Sequence, residues 1–99
     1  MQFLVIGRDG TDDGALERRL AARQAHLESL QRLKNNGEVL FGAALLDESE
    51  RMIGSVMLVS FESRAALDSW LAAEPYVTSR VWQSVEVNPC KVPPLFLNS

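Results

Sequence analysis

The chain has 99 residues, of which 46% are hydrophobic and 23% are charged, and its formal net charge at pH 7 is -3. This composition is typical of an ordinary globular domain and argues against a disordered chain. The acidic charge balance argues against nucleic acid or an anionic membrane surface as the main partner. The single cysteine, Cys90, excludes an internal disulfide bond and is too little for a cysteine metal site.

The amino terminus runs directly into an apolar segment, residues 3–6, without a basic leader. Arg8 and Asp9 end this segment after a few residues, which is too short for a signal peptide core or a membrane span. We therefore expect a cytoplasmic protein that neither enters nor crosses a membrane.

The first half of the chain predicts a strand followed by a long helix. Residues 2–8 are rich in β-branched and aromatic side chains and stop at a polar, glycine-containing turn. From residue 15 to residue 36 the apolar spacing becomes helical, and four leucines fall within about 80° of arc at about 100° per residue. These leucines, which we expect to face the core, are Leu16, Leu20, Leu27 and Leu30.

The second half predicts two strands, a helix and a last strand. Residues 39–46 and 52–61 are apolar runs joined by a polar loop, which is typical of a hairpin. Ser63 can cap a helix over residues 64–73, and Pro75 ends it. After a turn at 76–79, a strand is expected over about 81–88, followed by an extended tail over about 89–99.

The order of these elements is βαββαβ, which predicts a single α+β domain over residues 1–99 with a ferredoxin-like antiparallel sheet. In such a domain both helices cover one face of the sheet. The other face should then be polar, yet Phe3 and Val5 alternate with Leu4 and Ile6, so both faces are apolar. We therefore expect a homodimer formed through the open sheet face. The alternative is that the apolar tail, residues 95–97, folds over that face.

Two polar residues interrupt the first helix where apolar ones are expected. Arg23 lies at the centre of the leucine stripe, and His26 lies at its edge. Both can be structural, since a long arginine can reach water along its apolar stem. Alternatively they line a pocket, with Arg23 binding an anion and His26 exchanging a proton near neutral pH.

Three segments match the YCII-related family in order and separation: Arg23-Gln24-Ala25-His26-Leu27, Gly54-Ser55 and Glu74-Pro75-Tyr76-Val77. The chain resembles this family over nearly its whole length. The resemblance implies a dimeric α+β barrel fold and an active site built around a histidine and an aspartate. The histidine corresponds to His26, and the aspartate corresponds to Glu74, which is one methylene longer. A characterised relative is a dehydrochlorinase of a chlorinated hydroxyquinol, and muconolactone isomerases share the fold, so small cyclic or aromatic substrates are implied.

A carboxylate held against an imidazole suits acid/base chemistry, with Glu74 orienting His26. The remaining residues of these segments are candidates for substrate binding. Arg23 and Tyr76 could bind an anionic or phenolic ligand. Gly54 allows a close approach of a ligand or of backbone, and Ser55 offers a small hydroxyl. Plainer alternatives are a solvated carboxylate at a helix end, a tyrosine that only packs, and a bulge at a strand start.

The sequence therefore supports two functions. The first is a small cofactor-free enzyme of the lyase, isomerase or dehalogenase kind, which uses His26 and Glu74 as an acid/base pair. The second is a non-catalytic ligand-binding or accessory module with the same pocket. With one histidine and one cysteine, we expect no transition metal requirement. An RNA-recognition domain shares the element order, but Val56 and Leu58 stand where that domain needs stacking aromatics.

Overall fold

The computed structural model describes residues 1–97, which build one four-stranded antiparallel sheet with helices packed on one face. The strand order is β2-β3-β1-β4, with β1 and β3 in the centre. This arrangement confirms the predicted ferredoxin-like α+β fold. The elements are β1 (Gln2–Asp9), α1 (Ala15–Asn35), β2 (Val39–Leu46), β3 (Met52–Ser60), α2 (Arg64–Ala73), α3 (Pro75–Thr78) and β4 (Trp82–Cys90), followed by a 3-10 turn (Pro94–Phe96).

The core lies between the helices and the two central strands. Phe3 pairs with Val59 and Val5 pairs with Met57, and all four side chains are buried. Because successive strand residues point to opposite faces, this register assigns the odd-numbered apolar residues of β1 and β3 to the helix side. From α2, the buried Leu67 packs into the same core.

Helix α1 ends at Asn35, within one residue of the predicted range. Gly37 has a φ of +77°, a left-handed conformation that glycine adopts without steric cost. Its N–H donates to the carbonyl of Lys34, and the N–H of Glu38 donates to the carbonyl of Leu33. These two bonds form a Schellman motif, which satisfies the last carbonyls of the helix.

No helix within residues 1–97 combines the length and the apolar character that a membrane span needs.

The predicted orientation of α1 is wrong. Leu20 and Leu27 are 52% and 44% exposed, so the centre of the leucine stripe does not face the core, although Leu30 at its end packs against the core. The buried positions of the helix are instead Ala15, Arg19, Ala22 and His26. At about 100° per residue, this face lies about a quarter of a turn from the stripe. The physical reason is that Arg19 and His26 have ion-pair and hydrogen-bond partners in the interior, whereas the alanines let the helix approach closely.

The C-terminal half differs from the prediction in two details. The expected turn after α2 contains a one-turn helix, α3. Strand β4 extends to Cys90, so it includes Pro89, which the sequence assigned to the tail. Proline is compatible with this position because β4 is an edge strand of the sheet. The last two residues of the predicted tail, 98 and 99, lie outside the described residues.

The face of the sheet that the helices leave open is apolar along β1 and β3, whereas β4 places Ser84, Glu86 and Asn88 on it. Leu4, Ile6, Val56 and Leu58 lie on it half-buried, and Phe41 beside them is 49% exposed. The chain after β4 runs past this face and is held there by the N–H of Val92, which donates to Gln2. It does not cover the face, because Leu95 and Phe96 are themselves 77% and 72% exposed.

Substitution of Gly7 by alanine should destabilise the fold. A Cβ built on Gly7 would lie 2.3 Å from Cδ2 of Trp82, whose ring packs directly on the backbone of β1. Overpacking of this kind costs about 1–3 kcal/mol of unfolding free energy. The matched control is Gly14→Ala, whose Cβ would have only ordinary contacts at 3.5 Å. We expect urea denaturation to show a lower midpoint for Gly7→Ala alone, and equal midpoints for both variants would contradict this packing.

Candidate active site

A cleft of about 740 Å³ opens between α1 and the β2 side of the sheet. Its charged lining residues are Arg19, Arg23 and Lys34, and within residues 1–97 it is lined by no aspartate or glutamate. The apolar part of its wall includes Leu27, Leu30, Val39, Met52 and Met57. Because Asp9 pairs with Arg19, the charges of the lining that favour a small anion are those of Arg23 and Lys34.

His26 and Glu74 form a hydrogen bond between Nδ1 and Oε1, although 48 positions separate them in the sequence. Glu74 is completely buried, and His26, which lines the cleft, is 5% exposed. Because Glu74 occupies Nδ1, the ring nitrogen that remains for a ligand is Nε2. The arrangement suits proton exchange at Nε2 with a ligand in the cleft.

The junction between α2 and α3 positions Glu74. Its backbone is extended, and Pro75 follows as the first residue of α3, where a missing N–H costs nothing. The Oε1 atom of Glu74 accepts the N–H of Tyr76 at 3.2 Å and so caps the short helix. The same oxygen therefore starts α3 and binds the imidazole.

Tyr76 packs on the imidazole of His26 and also lies close to the guanidinium of Arg19. Its ring is stacked on His26 with 3.8 Å between ring centroids, and its centroid lies 4.9 Å from the guanidinium carbon of Arg19. The Trp82 ring meets the Tyr76 ring edge-on, with 5.6 Å between the ring centroids. Burial raises the pKa of the Tyr76 hydroxyl, against the opposing effect of Arg19 and Arg23. The phenol is therefore a neutral hydrogen-bond donor at physiological pH.

A second buried network lies beside the first. Nη1 of Arg19 donates to both carboxylate oxygens of Asp9, at 3.0 and 3.1 Å, and Nη2 donates to Ser55 Oγ at 2.9 Å. Nε1 of Trp82 donates to the same serine oxygen at 3.3 Å. Burial raises the pKa of the Asp9 carboxyl, and the Arg19 guanidinium offsets only part of this shift. The network fixes Ser55 at the inner wall of the cleft.

The sequence did not indicate Asp9, Arg19 or Trp82 as site residues. In the sequence, Asp9 looks like a residue that ends a strand, and Arg19 looks like an ordinary charged residue on a helix. The signal that could have found Arg19 is its separation of seven positions from His26, which places both residues on one helix face. No sequence signal connects that face with Asp9 or Trp82, because strand order and register determine their proximity.

The structure brings together four of the six predicted site residues: His26, Glu74, Ser55 and Tyr76 all belong to the two networks described above. Arg23 is exposed at the rim of the cleft rather than in its wall. Gly54 does not line the cleft. A Cβ on it would lie 2.6 Å from the carbonyl oxygen of Gly7, so it permits a close approach of the backbone rather than of a ligand.

Two buried polar atoms of the site have no hydrogen-bond partner within residues 1–97. They are Nε of Arg19 and Oε2 of Glu74. An unpaired buried carboxylate oxygen carries a desolvation cost, so the bond from His26 to the other oxygen is a main compensation for burying Glu74. The same residues contain no cluster of three or more metal-ligating side chains. The expectation that no metal is required stays a prediction.

Comparison with known proteins places the chain in a family. The YCII-related domain matches residues 1–91, and the chain belongs to this family. Protein YciI of Escherichia coli O6:H1 is 34% identical over 97 residues, which are 92% of this chain and 97% of that protein.

Two solved structures share the fold. A 5-chloro-2-hydroxyhydroquinone dehydrochlorinase from Burkholderia phenoliruptrix AC1100, in complex with 2,5-dihydroxybenzoquinone, has a TM-score of 0.81 and 24% identity, covering 96% of this chain and 98% of the other. A dimeric ferredoxin-like protein of unknown function from Jannaschia sp. CCS1 has a TM-score of 0.51 and 18% identity, covering 92% of this chain and 98% of the other.

The tautomer of His26 should depend on Glu74. In the wild type the carboxylate should hold the neutral imidazole with its proton on Nδ1, because an ionised carboxylate can only accept. In Glu74→Gln the amide can accept or donate, so this preference should weaken. Nitrogen-15 NMR of the single histidine shows which ring nitrogen carries the proton, in the wild type and in Glu74→Gln. The control is Glu28→Gln on the exposed side of α1. Identical ring nitrogen shifts in the wild type and Glu74→Gln would contradict the pairing.

Proposed function

We propose that this YCII-related protein is a small enzyme that performs acid/base chemistry on an anionic cyclic or aromatic molecule without a cofactor. The observation that carries the proposal is the hydrogen bond between two buried residues, His26 and Glu74, at the wall of a cleft lined by cations. Paired titratable groups at the wall of a cleft are typical of catalytic sites.

Each part of the cleft has a role in this reaction. Glu74 accepts a hydrogen bond from the Nδ1–H group and so fixes the imidazole, and Nε2 of His26 exchanges a proton with the bound molecule. Arg23 and Lys34 attract the negative charge of the substrate. The Tyr76 hydroxyl donates to one of its oxygens, Ser55 contributes a small polar group to the wall, and the apolar wall packs against its ring.

The structural neighbours support the size and chemistry of the substrate. The dehydrochlorinase with a TM-score of 0.81 binds 2,5-dihydroxybenzoquinone, a small ring that carries oxygen substituents. A molecule of this kind fits the combination of an apolar wall, two hydroxyls and nearby cations. At 24% identity the neighbour shows the fold alone, so its substrate is a starting point for experiments.

The decisive experiment separates binding from turnover in His26→Gln. A panel of cyclic acids, phenols and quinones, including 2,5-dihydroxybenzoquinone, is first screened by thermal shift. Ligands that bind, together with 5-chloro-2-hydroxyhydroquinone, are then assayed for conversion, with chloride release measured for the latter. We expect His26→Gln to lose about 10²-fold or more in turnover, the usual contribution of a general acid or base, while binding changes little. Glu28→Gln serves as the exposed control on the same helix.

Three results would each contradict a part of the enzyme proposal. Ligands that bind the cleft without conversion would favour the non-catalytic ligand-binding module instead. Turnover that survives His26→Gln would show that the imidazole is not the acid or base. Activity lost on chelation of metal, and restored by adding the ion back, would contradict the absence of a cofactor.

We also propose that the protein is a homodimer formed through the open sheet face. Support comes from the half-buried Leu4, Ile6, Val56 and Leu58 on that face, which the tail leaves uncovered. Exposed apolar patches of this kind are uncommon on monomers unless they bind something. The Jannaschia neighbour is itself described as dimeric.

Light scattering should give a mass of about 22 kDa, which is twice the 11.0 kDa of one chain. Leu58→Glu should produce a species of one chain mass, because it would bury an unpaired carboxylate at the centre of the interface. The matched control is Leu20→Glu, which changes an exposed leucine of α1 and should leave the dimer intact. A wild-type protein that runs as a monomer at micromolar concentration would refute the proposal.

A further inference from the structure

We infer that Ser55 is a fixed hydrogen-bond donor that selects ligands presenting an acceptor oxygen, and that Arg19 and Trp82 are the positioning residues that force this role. The inference rests on the proposed function, because it takes the cleft beside His26 as the ligand site. It adds the direction of one hydrogen bond and the class of ligand atom that receives it.

The argument begins with the valence of the hydroxyl. A serine side chain has one O–H to donate and two lone pairs with which to accept. Nη2 of Arg19 and Nε1 of Trp82 both donate to Ser55 Oγ, at 2.9 and 3.3 Å. Guanidinium and indole N–H groups are donors only, so neither can take the serine proton. Both lone pairs are therefore used, and the proton is still free.

The protein provides no acceptor for this proton within residues 1–97, where the hydrogen bonds of Ser55 Oγ are the two that it accepts. Ser55 is 4% exposed and is one of the residues that line the cleft. The free O–H therefore donates into the cleft. A ligand atom that meets it must be an acceptor, because no lone pair remains to receive a donor.

The donor is held before any ligand arrives. Asp9 binds Nη1 of Arg19 through both carboxylate oxygens, and the Arg19 side chain is only 4% exposed. The Trp82 ring packs on the backbone at Gly7, which leaves it no room to move toward β1. A donor positioned by its surroundings needs no rearrangement when a ligand oxygen binds or gains charge, which is the condition for effective electrostatic stabilisation.

The rest of the cleft agrees with an acceptor-bearing ligand. Tyr76 carries a neutral phenol, and the charged residues that line the cleft are the cations Arg19, Arg23 and Lys34. Ser55 and His26 also share a neighbour, because the Trp82 ring lies 5.9 Å from the imidazole. The ligand class is therefore an aromatic or cyclic molecule with a carbonyl, carboxylate or phenolate oxygen beside the atom that exchanges a proton with His26.

The test uses three probes that separate hydrogen-bond direction from charge. Benzoate is an anionic acceptor, acetophenone is a neutral acceptor without a donor, and pyrrole is a neutral N–H donor. The reporter is the indole N–H resonance of Trp82, which is bonded to Ser55, and the indole of Trp70 is an internal control because it has no such bond. We expect benzoate and acetophenone to shift the Trp82 signal and pyrrole to leave it unchanged.

Two variants complete the test. Ser55→Ala should weaken benzoate by about tenfold and acetophenone by about threefold, in line with charged and neutral hydrogen bonds. Ser60→Ala, on the same strand but on the other face of the sheet, should leave both affinities unchanged. Trp82→Phe returns one lone pair to Ser55, so pyrrole should gain affinity relative to acetophenone. A purely structural role of Trp82 would not change this ratio.

The outcomes distinguish this inference from the proposed function. Affinities for benzoate and acetophenone that are equal in the wild type and Ser55→Ala, with cleft resonances still shifted, would overturn the donor role and leave the acid/base proposal intact. A Trp82→Phe protein that folds and keeps the wild-type ratio would overturn the positioning role. Probes that shift no cleft resonance at millimolar concentration would overturn the ligand class, and with it the proposed function.

Discussion

The burial of Glu74 is the constraint on which the rest of the site depends. A carboxylate with no exposed surface needs strong partners, and it finds two, the N–H of Tyr76 and the imidazole of His26. The first bond builds α3, and the second attaches α3 to α1. Removing either partner would leave the buried carboxylate with a single hydrogen bond, so the orientation of the histidine is tied to the stability of the junction between the helices.

The same logic explains which side of α1 is buried. A helix normally buries its most apolar face, and the leucines predicted that face. The observed face instead contains Arg19 and His26, each with a partner in the interior, and the small Ala22 between them. Two satisfied polar groups cost little to bury, whereas an unsatisfied one is expensive. The position of the helix is therefore determined by its polar partners rather than by hydrophobic area alone.

The sequence predicted the element order, the hairpin between the second and third strands and the extent of α1, because these depend on local periodicity and on the residues of the connecting loops. The association of His26 with Glu74 came from the family resemblance, since no local pattern connects positions so far apart. The network of Asp9, Arg19 and Trp82 could not be predicted. An aspartate at a strand end and an arginine on a helix resemble surface residues until the register of the sheet brings them together.

Adjacent residues of β3 face different surroundings: Ser55 belongs to the cleft and Val56 to the open face of the sheet. An insertion or deletion of one residue within β3, before Ser55, would exchange the two faces. Ser55 would then lie on the open face of the sheet, and an apolar side chain would point toward the buried guanidinium of Arg19. Two unrelated surfaces thus constrain the same register. Length variation during the evolution of this protein should therefore be tolerated in the hairpin loop at residues 47–51, where added residues alter neither surface.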